Sequence, residues 1–235
     1  MSRVQKTLDS FLSSKKQPAE PVFTSQEIRD RGSIFVANIY HAASPQEALA
    51  RVDYMKRVVH SEKPASHEML AWRCMSLKPQ KSGLNGPEDF ELQAGSKDDG
   101  ERWAGAKILA VMERLSILDA VVIVSRWFGG TPLGPARFSH IETCTQEVCR
   151  LFKDQAELAE LQTLLESLDD ILADLRQQYK EVSGSSTTTD ETPKPKPIYA
   201  SLDITHAKRL ISVRERSITS VKSLIAKKHK PSPPS

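Results

Sequence analysis

The stretch AVVIVSRWFGGTPLGPARF, residues 120–138, joins the most apolar run of the chain to a turn rich in glycine and proline. Five consecutive apolar residues predict a buried strand at the centre of a sheet. In the turn that follows, Gly129 and Gly130 are predicted to supply positive φ, Gly134 belongs to the same turn, and Pro135 suits the first turn of a helix. A buried strand, a tight turn and a helix in succession predict a domain that mixes helices with a sheet.

A glycine-rich turn after a buried strand could also bind phosphate, but the motifs for that function are absent. A Walker A loop needs lysine and then serine or threonine after its last glycine, and a dinucleotide-binding fold needs G-x-G-x-x-G after its first strand. Neither pattern follows this strand, and Pro132 and Pro135 remove amides that would contact a phosphate. We therefore expect a structural turn and no nucleotide or other cofactor.

The neighbouring segments alternate between strand and helix patterns. Two more strands are predicted, at 33–40 and 69–75. Three helices are predicted from apolar spacing, at 45–61, 103–117 and 135–152. Residues 33–153 are therefore expected to form an α/β domain, built as an α+β two-layer sandwich.

The pattern changes after residue 153. Leucines recur in steps of three and four over the acidic segment 154–182, which predicts either a coiled coil or one long helix laid on the core. Residues 183–198 have the composition of a flexible linker, and residues 199–235 are expected to hold a basic amphipathic helix and a tail. The acidic segment carries 2 basic and 8 acidic side chains, whereas 199–235 carries 8 basic and 2 acidic ones. This complementarity favours an antiparallel hairpin of the two helices.

Composition limits the function classes. The chain has 235 residues, 39% of them apolar, with a mean hydropathy of −0.41, which predicts a compact core with solvated tails, the first at residues 1–32. Residues 33–153 carry 15 basic and 14 acidic side chains, so this core is not strongly basic like a typical nucleic-acid binder. Three cysteines without metal-ligand spacing, no signal peptide and no apolar run long enough to span a membrane predict a cytoplasmic protein, with the nucleus as a second location.

The loop SKDDGERW, residues 96–103, is the main candidate for chemistry outside the glycine turn. Asp98, Asp99 and Glu101 could bind a metal ion, but acidic residues before a helix more often interact with its N-terminal amides, and no EF-hand spacing is present. His67 is a lone histidine before a strand, and no nucleophile motif accompanies it. We expect no metal site and no enzyme, and a hydrolase using His67 and this loop is the least favoured alternative.

Four stretches in fixed order resemble the core of the IMPACT family of translation regulators, over about residues 33–150. They are SIFVANIYHAASPQEALA, PASHEMLAWRCM, DDGERWAGAKIL and VVIVSRWFGGTPLGPARFSHIETC. The positions that match the family pattern are His67, Asp98, Asp99, Gly100, Glu101, Arg126, Gly129, Gly130, Leu133, Gly134, Arg137 and Phe138.

The resemblance implies a fold like the second domain of ribosomal protein S-five, with no established enzymatic activity. Eukaryotic family members dampen the general amino-acid-control stress kinase by competing for its ribosome-associated activator, and they bind actin. That competition depends on an N-terminal RWD domain, which the 32 residues before this core are too few to form. A non-enzymatic role around translation and amino-acid-starvation signalling, through protein partners, RNA or the ribosome, is the expectation that remains.

Two hypotheses concern the cations of the core. Arg126, Arg137 and Lys107 could line a face that contacts RNA or an acidic protein, because arginine binds phosphate and carboxylate in a bidentate manner. Alternatively, Arg126 pairs with Asp98 or Asp99 and fixes the acidic loop. His67, Asp98, Asp99 and Glu101 complete this set of candidate binding residues.

The N-terminal segment VQKTLDSFLSSKK, residues 4–16, resembles a box that binds the sliding clamp PCNA. Gln5, Leu8 and Phe11 match that pattern, while Leu12 stands where a second aromatic residue is usual. The alternative function is therefore a nuclear protein tethered to the clamp through residues 5–12, and an incidental amphipathic stretch remains the other interpretation.

Overall fold

The computed structural model describes residues 20–183, residue 199 and residues 201–228, and these divide into two compact units, of which the first ends at Lys153 and the second begins at Asp154. The strands are β1 (Phe23–Thr24), β2 (Ile28–Asp30), β3 (Ser33–His41), β4 (His67–Leu77), β5 (Phe90–Lys97) and β6 (Ala120–Trp127). The helices are α1 (Pro45–Tyr54), continued by a π-helical turn at Met55–Val59, α2 (Ala104–Arg114), α3 (Ala136–Ser183) and α4 (Ile204–Lys228), with a short 3₁₀ turn at Pro87–Asp89. Within these ranges, no helix is long and apolar enough to cross a membrane.

The six strands form one antiparallel sheet in the order β1-β3-β6-β4-β5, with β2 also paired to β3. Strand β6 lies between β3 and β4, and its residues 120–126 are all buried. The central buried strand predicted from the apolar run is therefore confirmed.

Both faces of this sheet carry helices, because alternate side chains of each strand point to opposite sides. Phe35, Val122 and Val124 pack with α2 and the first part of α3. Val121 and Ile123 pack with α1. The α/β class with a helical C-terminal extension is confirmed, and α1 adds a third layer to the expected two-layer sandwich.

Three of the strands, β1, β2 and β5, are not predicted from the sequence patterns. Strands β1 and β2 pair with β3, so residues 23–30 belong to the sheet and the prediction of a tail over all of 1–32 is wrong. Strand β5 is an edge strand in which Gly95 lies opposite Trp72. A Cβ at Gly95 would come within 2.4 Å of the Trp72 ring, so glycine, a weak strand former, is required here.

In the second unit, α3 and α4 pack side by side in the same direction. Lys208 is 2.6 Å from Glu157 and Arg214 is 2.5 Å from Asp169, so residue numbers rise together along both helices. The predicted antiparallel hairpin is therefore wrong in direction, although acidic α3 does pair with basic α4. The shared core consists of Leu158, Leu161, Leu165, Leu168, Tyr199, Leu202, Ala207, Leu210 and Ile211.

Helix α3 also corrects the boundary between the predicted helices at 135–152 and 154–182. The two segments form one uninterrupted helix from Ala136 to Ser183. No proline or glycine interrupts residues 136–183, so nothing in the backbone chemistry ends the first helix at residue 152.

A candidate binding pocket around Glu101

Three charged side chains from separate parts of the first unit meet in one pocket of about 390 Å³. Glu101 comes from the loop between β5 and α2, Arg126 from the end of β6, and Arg137 from the first turn of α3. The pocket is lined by His67, Glu101, Arg126, Phe128, Pro132, Leu133, Gly134 and Arg137. The central strand and the glycine turn therefore position the site.

One buried carboxylate is shared by both arginines. Arg126 Nη1 donates to Glu101 Oε2, and Arg137 Nε lies 2.5 Å from Glu101 Oε1. The side chains of Arg126 and Glu101 are only 6% and 8% exposed, so this contact is largely removed from water. Two guanidinium groups against one carboxylate leave one positive charge uncompensated in the cluster.

The arginines also keep unused hydrogen-bonding capacity. The buried Nε atoms of Arg126 and Arg137 make no hydrogen bond, because the contact between Arg137 and Glu101 is close but not aligned as one. Arg137 Nη1 donates to the carbonyl oxygen of Gly134 at 2.7 Å, which fixes the guanidinium on the glycine turn. The guanidinium groups carry N–H donors beyond these contacts, so this pocket suits a ligand that can accept hydrogen bonds.

Aromatic rings hold Arg126 in place. Its guanidinium carbon lies 5.4 Å from the Phe35 ring centre and 5.5 Å from that of Phe128, within the range of cation–π attraction. Phe128 remains half exposed at the pocket wall. Phe128 is a site residue that is absent from the candidates expected from the sequence, although its place between Trp127 and the glycine pair is a usable signal.

His67 adds a nitrogen to the same pocket. Its Nδ1 is 2.8 Å from the carbonyl oxygen of Asp99, which can only accept, so Nδ1 carries the proton and donates. Nε2 lies 3.9 Å from Glu101 Oε2. A Cβ at Gly100, whose φ is +87°, would come within 3.2 Å of Nδ1 of this ring. The orientation of His67 is therefore fixed by the loop, with Nε2 turned towards the pocket.

Asp98 and Asp99 hold the loop and do not line the pocket. Asp98 accepts from the amides of Trp103 and Gly105, each at 2.9 Å, and so caps α2. Asp99 accepts from the amide of Glu68 at 2.7 Å and from Lys56 Nζ at 2.8 Å. The hypothesis that Arg126 pairs with either aspartate is wrong, because Arg126 pairs with Glu101.

The electrostatics of Asp99 reflect these contacts. Its partial burial opposes ionisation, but the hydrogen bonds from Lys56 and from the amide of Glu68 outweigh that effect and lower its pKa. Asp99 is therefore ionised at neutral pH and acts as an anchor for the loop between β5 and α2.

Lys107 is separated from the pocket. It forms an ion pair with Glu142 of α3 at 3.1 Å and is absent from the pocket lining. The structure thus brings Arg126 and Arg137 together but corrects the expected three-cation face, since Lys107 points to a carboxylate of its own.

The glycines of the turn have different roles. Gly130 and Gly134 have φ of +85° and +58°, values that favour glycine. Gly129 lacks positive φ, contrary to expectation. A Cβ there would come within 1.9 Å of the backbone carbon of Gly32, so the close approach of two backbone segments requires glycine at this position.

Metal and thiol chemistry gain no support from the described residues. In residues 20–183, 199 and 201–228, no group of three or more His, Cys, Asp or Glu side chains is placed to hold a metal ion. Cys74, Cys144 and Cys149 are free and buried. Burial raises the pKa of Cys74 and Cys144 to about 11 and that of Cys149 to about 12, so all three are neutral thiols at physiological pH.

The residues predicted to bind the sliding clamp, Gln5, Leu8, Phe11 and Leu12, lie outside the described residues.

Comparison with known proteins gives consistent matches to one family. The family model described as the Impact N-terminal domain matches residues 31–149. The Protein IMPACT homolog of Saccharomyces cerevisiae is 36% identical over 130 residues, covering 55% of this chain and 46% of that protein. Protein IMPACT of Mus musculus is 33% identical over 150 residues, covering 61% of this chain and 43% of that protein. The chain thus spans less than half the length of these two relatives.

Two further matches are to a relative of which this chain covers most of the length and to a solved structure. An IMPACT family member of Saccharomyces cerevisiae is 31% identical over 150 residues, which cover 54% of this chain and 88% of that protein. A solved structure described as the two-domain translational regulator Yih1 is 33% identical and covers 61% of this chain and 57% of its own. Its TM-score of 0.35 is too low to bear on the fold.

Proposed function

Because the chain belongs to the Impact N-terminal domain family, we propose that it is a non-enzymatic regulator of translation that acts by binding a protein partner. The names of its relatives support this role, since one solved relative is described as a translational regulator. The proposed partner is a protein of the translation machinery in general amino-acid-control signalling, as the family resemblance implies.

The single observation that carries the binding mode is the shared carboxylate of Glu101. Arg126 and Arg137 both depend on it, so the buried cluster retains one positive charge, and the two guanidinium groups carry more N–H donors than Glu101 and Gly134 accept. A carboxylate from a partner would supply the missing charge and accept these donors, and arginine binds carboxylates with two parallel hydrogen bonds. Phe128 and Leu133 in the pocket wall suit an apolar residue next to that acidic side chain. This mixture favours an acidic protein segment over bare phosphate.

The substitution Arg137→Gln tests the proposal. Arg137 is 26% exposed, whereas Arg126 is almost fully buried, so removing Arg137 leaves the Arg126–Glu101 pair intact. A lost charged hydrogen bond costs about 1.5–3 kcal/mol, so we expect association with ribosomes to weaken about tenfold or more. The measurement is co-sedimentation of the purified full chain with ribosomes, after circular dichroism has confirmed an unchanged fold.

Lys107→Gln is the matched control, because it also removes one cation of the same unit but lies outside the pocket. It should co-sediment like the original chain. If Arg137→Gln binds ribosomes as well as Lys107→Gln does, the pocket is not where the partner binds.

The clamp-binding alternative rests on the sequence of residues 5–12 and stays a prediction. A peptide of residues 1–17 tests it directly, since such a box needs no folded domain. Saturable binding to the clamp that is lost on Phe11→Ala would support nuclear tethering, and absence of binding would remove it.

A further inference from the structure

A shallow groove of about 470 Å³ runs between α3 and α4 in the second unit, and its lining combines cations with hydroxyl groups. It is lined by Arg176, Val213, Arg216, Ser217, Ser220 and Val221. Arg176 and Arg216 are exposed, and neither has a carboxylate within ion-pair distance among the residues that the structure describes, although Arg176 is near enough to Asp169 to lower the pKa of that carboxyl. Two unpaired guanidinium groups on one groove favour an anionic ligand.

Helix α4 extends this positive charge along its length. Its 25 residues contain seven lysines and arginines and one acidic residue, Glu215. Lys208 and Arg214 pair with carboxylates of α3, which leaves five cations without such a partner in the described chain. Arg209, Arg216 and Lys227 are spaced by 7 and 11 residues, so they lie along one line of the helix, about 27 Å long.

The buried side of α4 narrows the kind of partner. Ala207, Ile211 and Ile218 form its apolar stripe, which is already buried. Val213 and Leu224 are 49% and 44% exposed, but they lie 11 residues apart. The helix therefore lacks a wide, continuous apolar stripe to insert into a membrane surface. Residues 204–228 contain no Phe, Tyr or Trp, so the stacking that holds single-stranded nucleic acid has no platform on this helix. A row of cations without stacking groups suits the regularly spaced phosphates of a duplex.

The hydroxyl groups in the groove suit RNA better than DNA. Ser217 Oγ donates its proton to the carbonyl oxygen of Val213 at 2.9 Å, so its oxygen is left to accept. A ribose 2′-OH can donate to that oxygen, whereas deoxyribose has no such group. Ser220 is exposed in the same groove and can bond to phosphate or to a 2′-OH.

We propose that the groove between α3 and α4 binds the backbone of an RNA duplex, with Arg176 and Arg216 contacting phosphates and Ser217 accepting from a 2′-OH. This site adds an RNA contact to the protein contact proposed for the pocket around Glu101. The two contacts use different units of the chain and do not depend on each other. The ribosome co-sedimentation of Arg137→Gln is therefore measured in a chain that also carries Arg176→Gln/Arg216→Gln, so that binding of ribosomal RNA by the groove does not mask loss of the protein contact.

The test measures binding of the full chain to a fluorescently labelled RNA duplex by anisotropy over a range of salt concentrations. The double variant Arg176→Gln/Arg216→Gln should weaken binding about tenfold or more at low salt. Each phosphate contact contributes roughly 0.9 to the slope of log K against log salt, so this slope should fall by about 2. Both side chains are exposed and unpaired, so the fold should persist, which circular dichroism checks.

The matched control is Arg57→Gln/Lys222→Gln, which also removes two exposed cations. Arg57 lies in the first unit, and Lys222 lies about 120° around α4 from Arg216. Equal loss of affinity in both double variants would overturn the groove as the binding site, as would absence of duplex binding by the original chain. Ser217→Ala should weaken binding to the RNA duplex but not to a DNA duplex of the same sequence. Equal affinity of the original chain for the two duplexes would overturn the assignment to RNA.

Discussion

The pocket around Glu101 and the α3–α4 pair both join arginine to carboxylate, but in different surroundings. Glu101 and Arg126 are at most 8% exposed, whereas Asp169 and Arg214 are 20% and 25% exposed. A buried ion that loses its partner cannot be hydrated instead, whereas a partly exposed ion can. The charges in the pocket should therefore control folding of the first unit, while the apolar seam should control folding of the second.

The largest effect is expected from Glu101→Gln. The change removes the anion that two guanidinium groups share, and breaking a buried ion pair typically costs about 3–5 kcal/mol. Urea unfolding followed by tryptophan fluorescence would measure the loss, because all three tryptophans, Trp72, Trp103 and Trp127, lie in the first unit. Glu142→Gln breaks the exposed pair with Lys107 and should cost less than about 1 kcal/mol. Similar losses of unfolding free energy in both variants would contradict the claim that burial makes the ion pairs of Glu101 more important for stability than the Lys107–Glu142 pair.

A smaller effect is expected from Leu165→Ala in the second unit. Leu165 is fully buried between α3 and α4, and truncating a buried leucine typically costs about 2–5 kcal/mol. Its neighbour Leu164 is 44% exposed, so Leu164→Ala should change stability by less than about 1 kcal/mol. Loss of helical circular dichroism on heating is the measurement. Equal effects of the two substitutions would contradict the packing of α4 on this face.

The smallest effect concerns pH and Asp169. Partial burial opposes ionisation of Asp169, but hydrogen bonds from Tyr199 and Arg214 outweigh it and lower its pKa. The stability that this carboxylate contributes is therefore present above its unfolded pKa, about 3.9, and is lost as pH falls through the lower folded value. Asp169→Asn should flatten the acid side of the melting profile of the second unit. An unchanged acid side would show that the contact contributes nothing to stability.

Sequence periodicity predicts the interior of this fold better than its edges. Residues 120–124 and the helix at 104–114 are recognisable because their apolar spacing follows directly from burial. The edge strand β5 is hidden because Gly95 makes room for Trp72, and that contact exists only once β4 and β5 pair. Strands β1 and β2 are too short for any periodicity to appear.

The pocket shows the same limit. The sequence identifies Glu101, Arg126 and Arg137 as candidates, but it cannot say which carboxylate pairs with which arginine, because the three come from distant segments. Lys107 and Glu142 illustrate the converse, since a cation close in sequence to the loop is paired elsewhere. The sequence also cannot predict the relative direction of α3 and α4 in the second unit, because parallel helices satisfy the charge complementarity as well as antiparallel ones do.

The central claim is that the arginines around Glu101 accept an acidic side chain. The most direct measurement follows the Nε–Hε NMR signals of Arg126 and Arg137 in the full chain during titration with the tripeptide Leu-Glu-Leu. This peptide and its control Leu-Gln-Leu are both acetylated and amidated at their ends, so that the glutamate side chain is the only carboxylate offered. We predict saturable shifts of both signals, absent with Leu-Gln-Leu and abolished for Arg126 in the Arg137→Gln variant. Signals that stay unmoved, or that move equally with the neutral tripeptide, would contradict the claim.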